Sequence, residues 1–140
     1  MKITTKGRYA IHILYDLAVN GTEHPVSVKE MATRQEISVK YTEQIISILN
    51  KAGYVSSSRG FQGGYRLTKP LDEYVIGDIL RLTEGSLAPV ECPATAENPC
   101  PKQQKCATIM LWEKVDKAIR DVVDHVTLQD LLDWQKQERC

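Results

Sequence analysis

No stretch of this 140-residue sequence approaches the roughly 20 consecutive apolar residues that a membrane-spanning helix needs, and Met1-Lys2-Ile3-Thr4-Thr5 lacks the apolar core of a secretory signal. A cytoplasmic protein with no membrane partner is expected. Cysteine is missing from the first 91 residues; Cys92, Cys100, Cys106 and Cys140 all come later. A disulfide-built secreted domain would spread its cysteines through its core, so this grouping asks for another explanation. Net charge is absent too, because 18 Lys plus Arg offset 18 Asp plus Glu. The balance hides a division. Residues 1–70 hold 10 basic against 5 acidic side chains and residues 71–140 hold 8 against 13. A basic front half can meet a polyanion while the acidic rear half stays in solvent.

What is present has helical spacing first. Tyr9, Ile13 and Leu17 recur at four, with Ala10, Leu14 and Ala18 alongside, so a helix should start near Thr4 or Thr5 and end at Asn20-Gly21. Ser27-Val28-Lys29-Glu30 is a capping-box pattern for a second helix through Arg34. Ser38 is a third N-cap, opening a helix through Asn50 whose inward stripe reads Tyr41, Ile45, Ile48 and Leu49. Lys40, Glu43, Gln44 and Ser47 then face outward. Two short helices around a tight turn make a helix-turn-helix available.

After Gly53 the period changes. Tyr54-Val55-Ser56-Ser57 and Tyr65-Arg66-Leu67 flank Arg59-Gly60-Phe61-Gln62-Gly63-Gly64, which reads as a β-hairpin with glycines at positive φ, a natural wing. These glycines follow a strand and lack a Gly-Lys-Ser/Thr ending, so a nucleotide-binding loop is not indicated. A short helix over 75–82 stops at Gly85. Four prolines between Ala88 and Cys106 then argue for a long loop, and a final helix from about Ala107 to Asp124 carries Trp112, Val115, Ile119, Val122 and Val126 as a seam. Thr127-Leu128-Gln129-Asp130 is a further cap before Leu131 and Leu132. The long helix has little of its own chain to cover it, which points to a two-fold homodimer.

The expected fold is thus mainly α with a small β-hairpin: a winged helix-turn-helix DNA-binding domain over 1–85, a cysteine-bearing sensory loop over 86–106, and a dimerisation helix with a helical tail over 107–140. In such a domain the second motif helix enters the major groove of double-stranded DNA. Gln44 suits an adenine edge, Glu43 a cytosine amino group, and Lys40 a guanine or a phosphate. Ser38 and Tyr41 have smaller roles beside them, the serine because its oxygen already caps the helix. Arg59 can enter a narrow minor groove, and Lys2, Lys6, Arg8 and Arg66 are candidate phosphate contacts. Cys92, Cys100 and Cys106 form a C-x7-C-x5-C set of soft thiolate donors suited to an iron-sulfur cluster, less so to zinc, whose usual spacing is closer.

Lys6-Gly7-Arg8-Tyr9-Ala10, Ser38 to Ile45, Arg59 to Tyr65 and the three-cysteine loop together resemble the IscR, NsrR and CymR group of bacterial winged-helix regulators, the Rrf-two type. The resemblance covers nearly the whole chain. It implies a homodimer on a roughly palindromic operator, with Lys40, Glu43 and Gln44 in the major groove, Arg59 in the minor groove, and a cluster, in first place two-iron two-sulfur, held by Cys92, Cys100 and Cys106. IscR-like members carry a small residue where this chain has Lys40, and a histidine ligand where it has Ile109. NsrR-like members use an acidic residue where it has Arg8. His12 of the partner subunit resembles a histidine that one cluster-binding relative uses across the dimer, and it leads Glu91, Asp16 and Cys140 as fourth ligand. A regulator without a cluster, controlled by thiol oxidation or by a regulatory protein partner as in CymR, is the alternative. An enzyme built on Cys106 and His125 has no orienting third residue and no oxyanion pattern, so no catalytic function is expected.

Overall fold

A computed structural model of the chain describes residues 2–90 and 106–138. It contains α1 (Thr5–Asn20), α2 (Val28–Gln35), α3 (Val39–Lys51), β1 (Val55–Ser58), β2 (Gly64–Leu67), a 3₁₀ turn (Leu71–Glu73), α4 (Ile76–Glu84), α5 (Ile109–Val123) and α6 (Leu128–Glu138). This is the mainly helical fold with a single hairpin that the periodicities predict.

Each early helix begins where a hydroxyl can satisfy an orphan N–H. Thr4 accepts from the Gly7 N–H, Ser27 from that of Glu30 at 3.1 Å, and Ser38 from that of Tyr41 at 3.0 Å. The turn between α2 and α3 is made by Glu36 in the left-handed region, φ 55°, with the Ile37 N–H returning to the Ala32 carbonyl at 3.1 Å. A non-glycine residue there costs on the order of 1 kcal/mol, which the packing on both sides must offset. That packing is real: Met31, Ala32, Ile45, Ile46 and Leu49 are buried together with Ile13, Leu14 and Leu17 of α1. Burial of each large aliphatic side chain contributes about 1.5–3 kcal/mol.

The inward face of α3 differs from the expected stripe. It is centred on Thr42, Ile45, Ile46 and Leu49, with Tyr41 and Ile48 half-buried at its margins. Thr42 tolerates full burial because its hydroxyl donates to the Ser38 carbonyl at 2.9 Å.

The two strands pair antiparallel, Val55 opposite Leu67 and Ser58 opposite Gly64. Val26, just before α2, exchanges two backbone hydrogen bonds with Tyr65, at 3.0 and 2.8 Å, and so ties the wing to the helix-turn-helix. Gly64 permits that approach, since a Cβ there would overlap the Val26 carbonyl. Of the three wing glycines only Gly60 has positive φ, 114°; Gly63 and Gly64 are needed for room instead. Buried Tyr74 locks the hairpin root. Its hydroxyl donates to the Tyr54 carbonyl at 2.6 Å and accepts from the Thr68 N–H at 2.9 Å.

Beyond α4 the chain turns at Gly85, φ 82°. α5 begins at Ile109 rather than Ala107, and among its residues only Asp116 is buried. Met110 and Leu111 are exposed near its start, while Val115, Ile119, Val122 and Val123 form an almost wholly apolar groove with Ile3, Leu80 and Leu87. Its far end is fastened to α4 by Arg81, whose guanidinium meets the Asp124 carboxylate at 2.6 and 3.0 Å. The chain then returns to the common core. Thr127 bridges Val75, Leu128 is fully buried in the common core, and a reciprocal cap between Thr127 and Asp130 starts α6. α6 packs against α1 and the 3₁₀ turn.

Candidate nucleic-acid interface and cysteine site

The helical period that buries Thr42, Ile45 and Leu49 necessarily turns Lys40, Glu43, Gln44 and Ser47 outward, and all four are exposed. Ser38 is committed to capping, as expected. Tyr41 leans edge-on against Tyr9 with ring centres 6.2 Å apart, so the tyrosine braces α3 against α1. Lys2, Lys6 and Arg8 are exposed around the start of α1, and Arg59 is exposed at the wing. Between residues 54 and 67 there is no acidic side chain to oppose Arg59 and Arg66. Arg66 is exposed as well; one N–H of its guanidinium donates to the Glu23 carbonyl at 3.0 Å, which leaves its other donors facing solvent.

One contact at this surface joins residues that no local pattern connects. Both the Thr4 hydroxyl and the Thr4 N–H donate to Glu84 Oε1, at 2.5 and 3.1 Å. A carboxylate from the end of α4 therefore sits at the positive end of α1. Gly7 is where it is because a Cβ would occupy the place of that oxygen.

Of the three loop cysteines, Cys106 is described and exposed; Cys92 and Cys100, with Glu91 and Cys140, lie outside the described residues. The Thr108 hydroxyl lies 3.3 Å from the Cys106 sulfur, and its hydrogen bond, with backbone N–H groups behind it, draws the thiol below its ordinary pKa. A thiol so placed yields the thiolate that metals and oxidants require. Ile109 opens α5 half-buried, with no donor atom to offer a metal.

His12 is exposed on α1, 5.9 Å from the Tyr9 ring, and lines a pocket with Ile11, Tyr15, Leu131, Trp134 and Gln135. Asp16 is withdrawn from any ligand role. It is buried and bonded by Arg34 at 2.7 and 2.9 Å and by Gln35 and Asn20 at 3.3 Å. Among the described residues no three His, Cys, Asp or Glu side chains converge on one metal position. Cys106 precedes α5 and His125 follows it, so the 15-residue helix separates them by about 22 Å and they cannot act as a pair within one chain. No helix of the described residues is long and apolar enough to cross a membrane.

Comparison with known proteins is consistent across sequence and structure. A family model described as Rrf2, iron-dependent transcriptional regulator, matches residues 3–134. The protein rrf2 of Nitratidesulfovibrio vulgaris is 44% identical over 133 residues, 94% of this chain and 87% of that one. Among solved structures, CymR, the global cysteine regulator of B. subtilis, superposes with a TM-score of 0.78 at 39% identity, covering 96% of this chain and 98% of CymR. IscR of T. potens superposes with a TM-score of 0.80 at 39% identity, covering all of this chain and 92% of that one.

Proposed function

This chain belongs to the Rrf2 family of DNA-binding transcription regulators, and we propose that it acts as a homodimer whose hold on a roughly palindromic operator is governed by an iron-sulfur cluster. The observation that carries the reading is the outward row Lys40, Glu43, Gln44 on a capped α3, beside an exposed Arg59 on a wing tied to the same body. α3 reads base edges in the major groove, Arg59 the minor groove, and Lys2, Lys6 and Arg8 take phosphates. The apolar groove along α5 supports the dimer, since a second α5 is an economical cover for Val115, Ile119 and Val122.

For the cluster, Cys92, Cys100 and Cys106 are the ligands and the partner subunit's His12 supplies the fourth position. The donor set fits: soft sulfurs, one of them exposed with its thiolate favoured. Bound iron and sulfide would supply a redox- and supply-sensitive group. The chain's own part is to hold it between the end of α4 and the start of α5, so that its gain or loss alters how the two reading heads are set. An absorption spectrum after anaerobic reconstitution tests this. Visible charge-transfer bands that vanish in a Cys106→Ser variant are expected, and a featureless spectrum of the wild-type chain would sink the cluster.

A second reading is favoured by Ile109 and by the likeness to CymR. In it the same DNA-binding dimer carries no cluster and responds through thiol oxidation or a protein partner. Oxidant-dependent loss of operator binding, removed by Cys106→Ser in a protein without iron, is its signature.

A further inference from the structure

The wing carries a large apolar side chain beside Arg59. Phe61, the chain's one phenylalanine, is fully exposed, while most other large aromatic side chains of the described residues are at least partly packed. Isolated exposed hydrophobics are common, so exposure alone means little. Its position is what matters. Gly60 turns the chain with φ 114°, the Gly63 N–H closes back on the Gly60 carbonyl at 2.9 Å, and Phe61 and Gln62 are the two central residues of that turn. Such positions favour proline, aspartate, asparagine, serine or glycine, each for a backbone reason. Phenylalanine answers none of them, and no described residue covers it.

The tip is also a firm support. The Ser58–Gly64 pair lies directly beneath it, and the double Val26–Tyr65 hydrogen bond fixes the ladder to the lead-in of α2. An apolar ring is thus held out on a short hairpin, two residues from a guanidinium; the wing itself has no acidic residue, and Glu30 of α2 is the carboxylate that shares a hollow with the tip. Aromatic and aliphatic wedges of this kind enter the minor groove and part the stacking at one base step, which is cheapest at pyrimidine–purine steps.

We propose that Phe61 is a minor-groove wedge: beside Arg59 it inserts partly at one base step of each half-site and so adds a preference for a flexible step that no major-groove contact can read. The inference rests on the DNA-binding reading and specifies a residue and a mode of recognition within it.

The test uses full-length protein and a duplex selected by the wild-type chain from a randomised pool, with 2-aminopurine placed at successive positions under the wing. Wild-type protein should raise the fluorescence at one step, reporting unstacking. Phe61→Ala should abolish the rise, weaken binding by about tenfold on a TA-containing duplex and much less on one with a stiff AA step there. Phe61→Leu should keep part of both effects. The salt dependence should be unchanged in both variants, since no charge is removed. An exposed tip residue leaves the core intact, and an unaltered circular dichroism spectrum and melting curve verify this. Wild-type-like affinity and step preference in Phe61→Ala would overturn the wedge while leaving DNA binding in place. Loss of dimer mass in light scattering with DNA binding unchanged would assign Phe61 to a protein contact and equally overturn it. Failure of the wild-type chain to select any duplex would remove the DNA-binding reading itself.

Discussion

Thr4 and Glu84 stand 80 residues apart in sequence and share a 2.5 Å hydrogen bond that fastens the start of α1 to the end of α4. The same oxygen takes the Thr4 N–H, and its place is kept free by the missing side chain of Gly7. The segment so fixed is flanked by Lys2, Lys6 and Arg8, the proposed phosphate contacts, while Glu84 precedes the turn that leads toward the cysteines.

Glu84→Ala should therefore lower stability by about 1 kcal/mol, the usual worth of a cap with a charged acceptor. It should also weaken DNA binding without altering base preference. Urea melts and operator titrations check the two effects; an altered preference with unchanged stability would contradict this account. Gly7→Ala should also displace the carboxylate and weaken DNA binding, its stability loss offset by about 1 kcal/mol from the better helix propensity of alanine.

The Asp16–Arg34 pair supplies a second prediction. Asp16 is almost wholly buried and Arg34 is partly exposed. Removing the arginine leaves a buried carboxylate with only Gln35 and Asn20 to bond it, which should cost roughly 3–5 kcal/mol by denaturant titration. Asp16→Asn together with Arg34→Met should cost much less than the sum of the single changes.

Acid stability should report on Asp124. Its hydrogen bond to Arg81 holds its carboxyl below the ordinary 3.8. A carboxyl with a depressed folded pKa contributes stability that is present above the unfolded value and lost as pH falls through the folded one. Asp124→Asn should thus destabilise near neutrality and flatten the dependence below about pH 4. Both partners are about one-third exposed, so the effect should shrink in high salt. Melting temperatures across that range with and without salt decide it.

Base reading is tested at Gln44. Gln44→Ala should lose discrimination at one base pair of each half-site, about 1 to 3 kcal/mol, when the selected duplex is compared with single-base changes. Arg59→Ala should instead relax preference for a narrow A·T-rich minor groove. Unchanged discrimination in both would count against the placement of α3 and the wing.

Much of this architecture is legible along the chain because its signals are local. Ser27, Ser38 and the Thr127–Asp130 pair announce helix starts, and all three act as caps. The outward set Lys40, Glu43 and Gln44 also follows from period alone. The face of α3 was displaced by Thr42, which hydropathy ranks as polar but whose hydroxyl is satisfied within its own helix. The bond from Arg66 to the Glu23 carbonyl, 43 residues away, has no local signal. The Thr4–Glu84 clasp, the Tyr74 lock and the burial of Leu128 are tertiary facts with no periodic trace. Phe61 is visible in the wing motif, yet only the fold shows that no described residue covers it.

The Arg81–Asp124 clasp and the neighbouring Val75–Thr127 bridge make the intervening segment an excursion that leaves and rejoins the reading head at nearly one place. The entropy of closing such a detour grows only with the logarithm of its length. Leu87 is buried in the common core and must stay, but a change of length in the sequence between residues 91 and 105 should cost the head little while the junctions stay put. On the proposed function, such a chain could change the signal it receives independently of the operator it recognises.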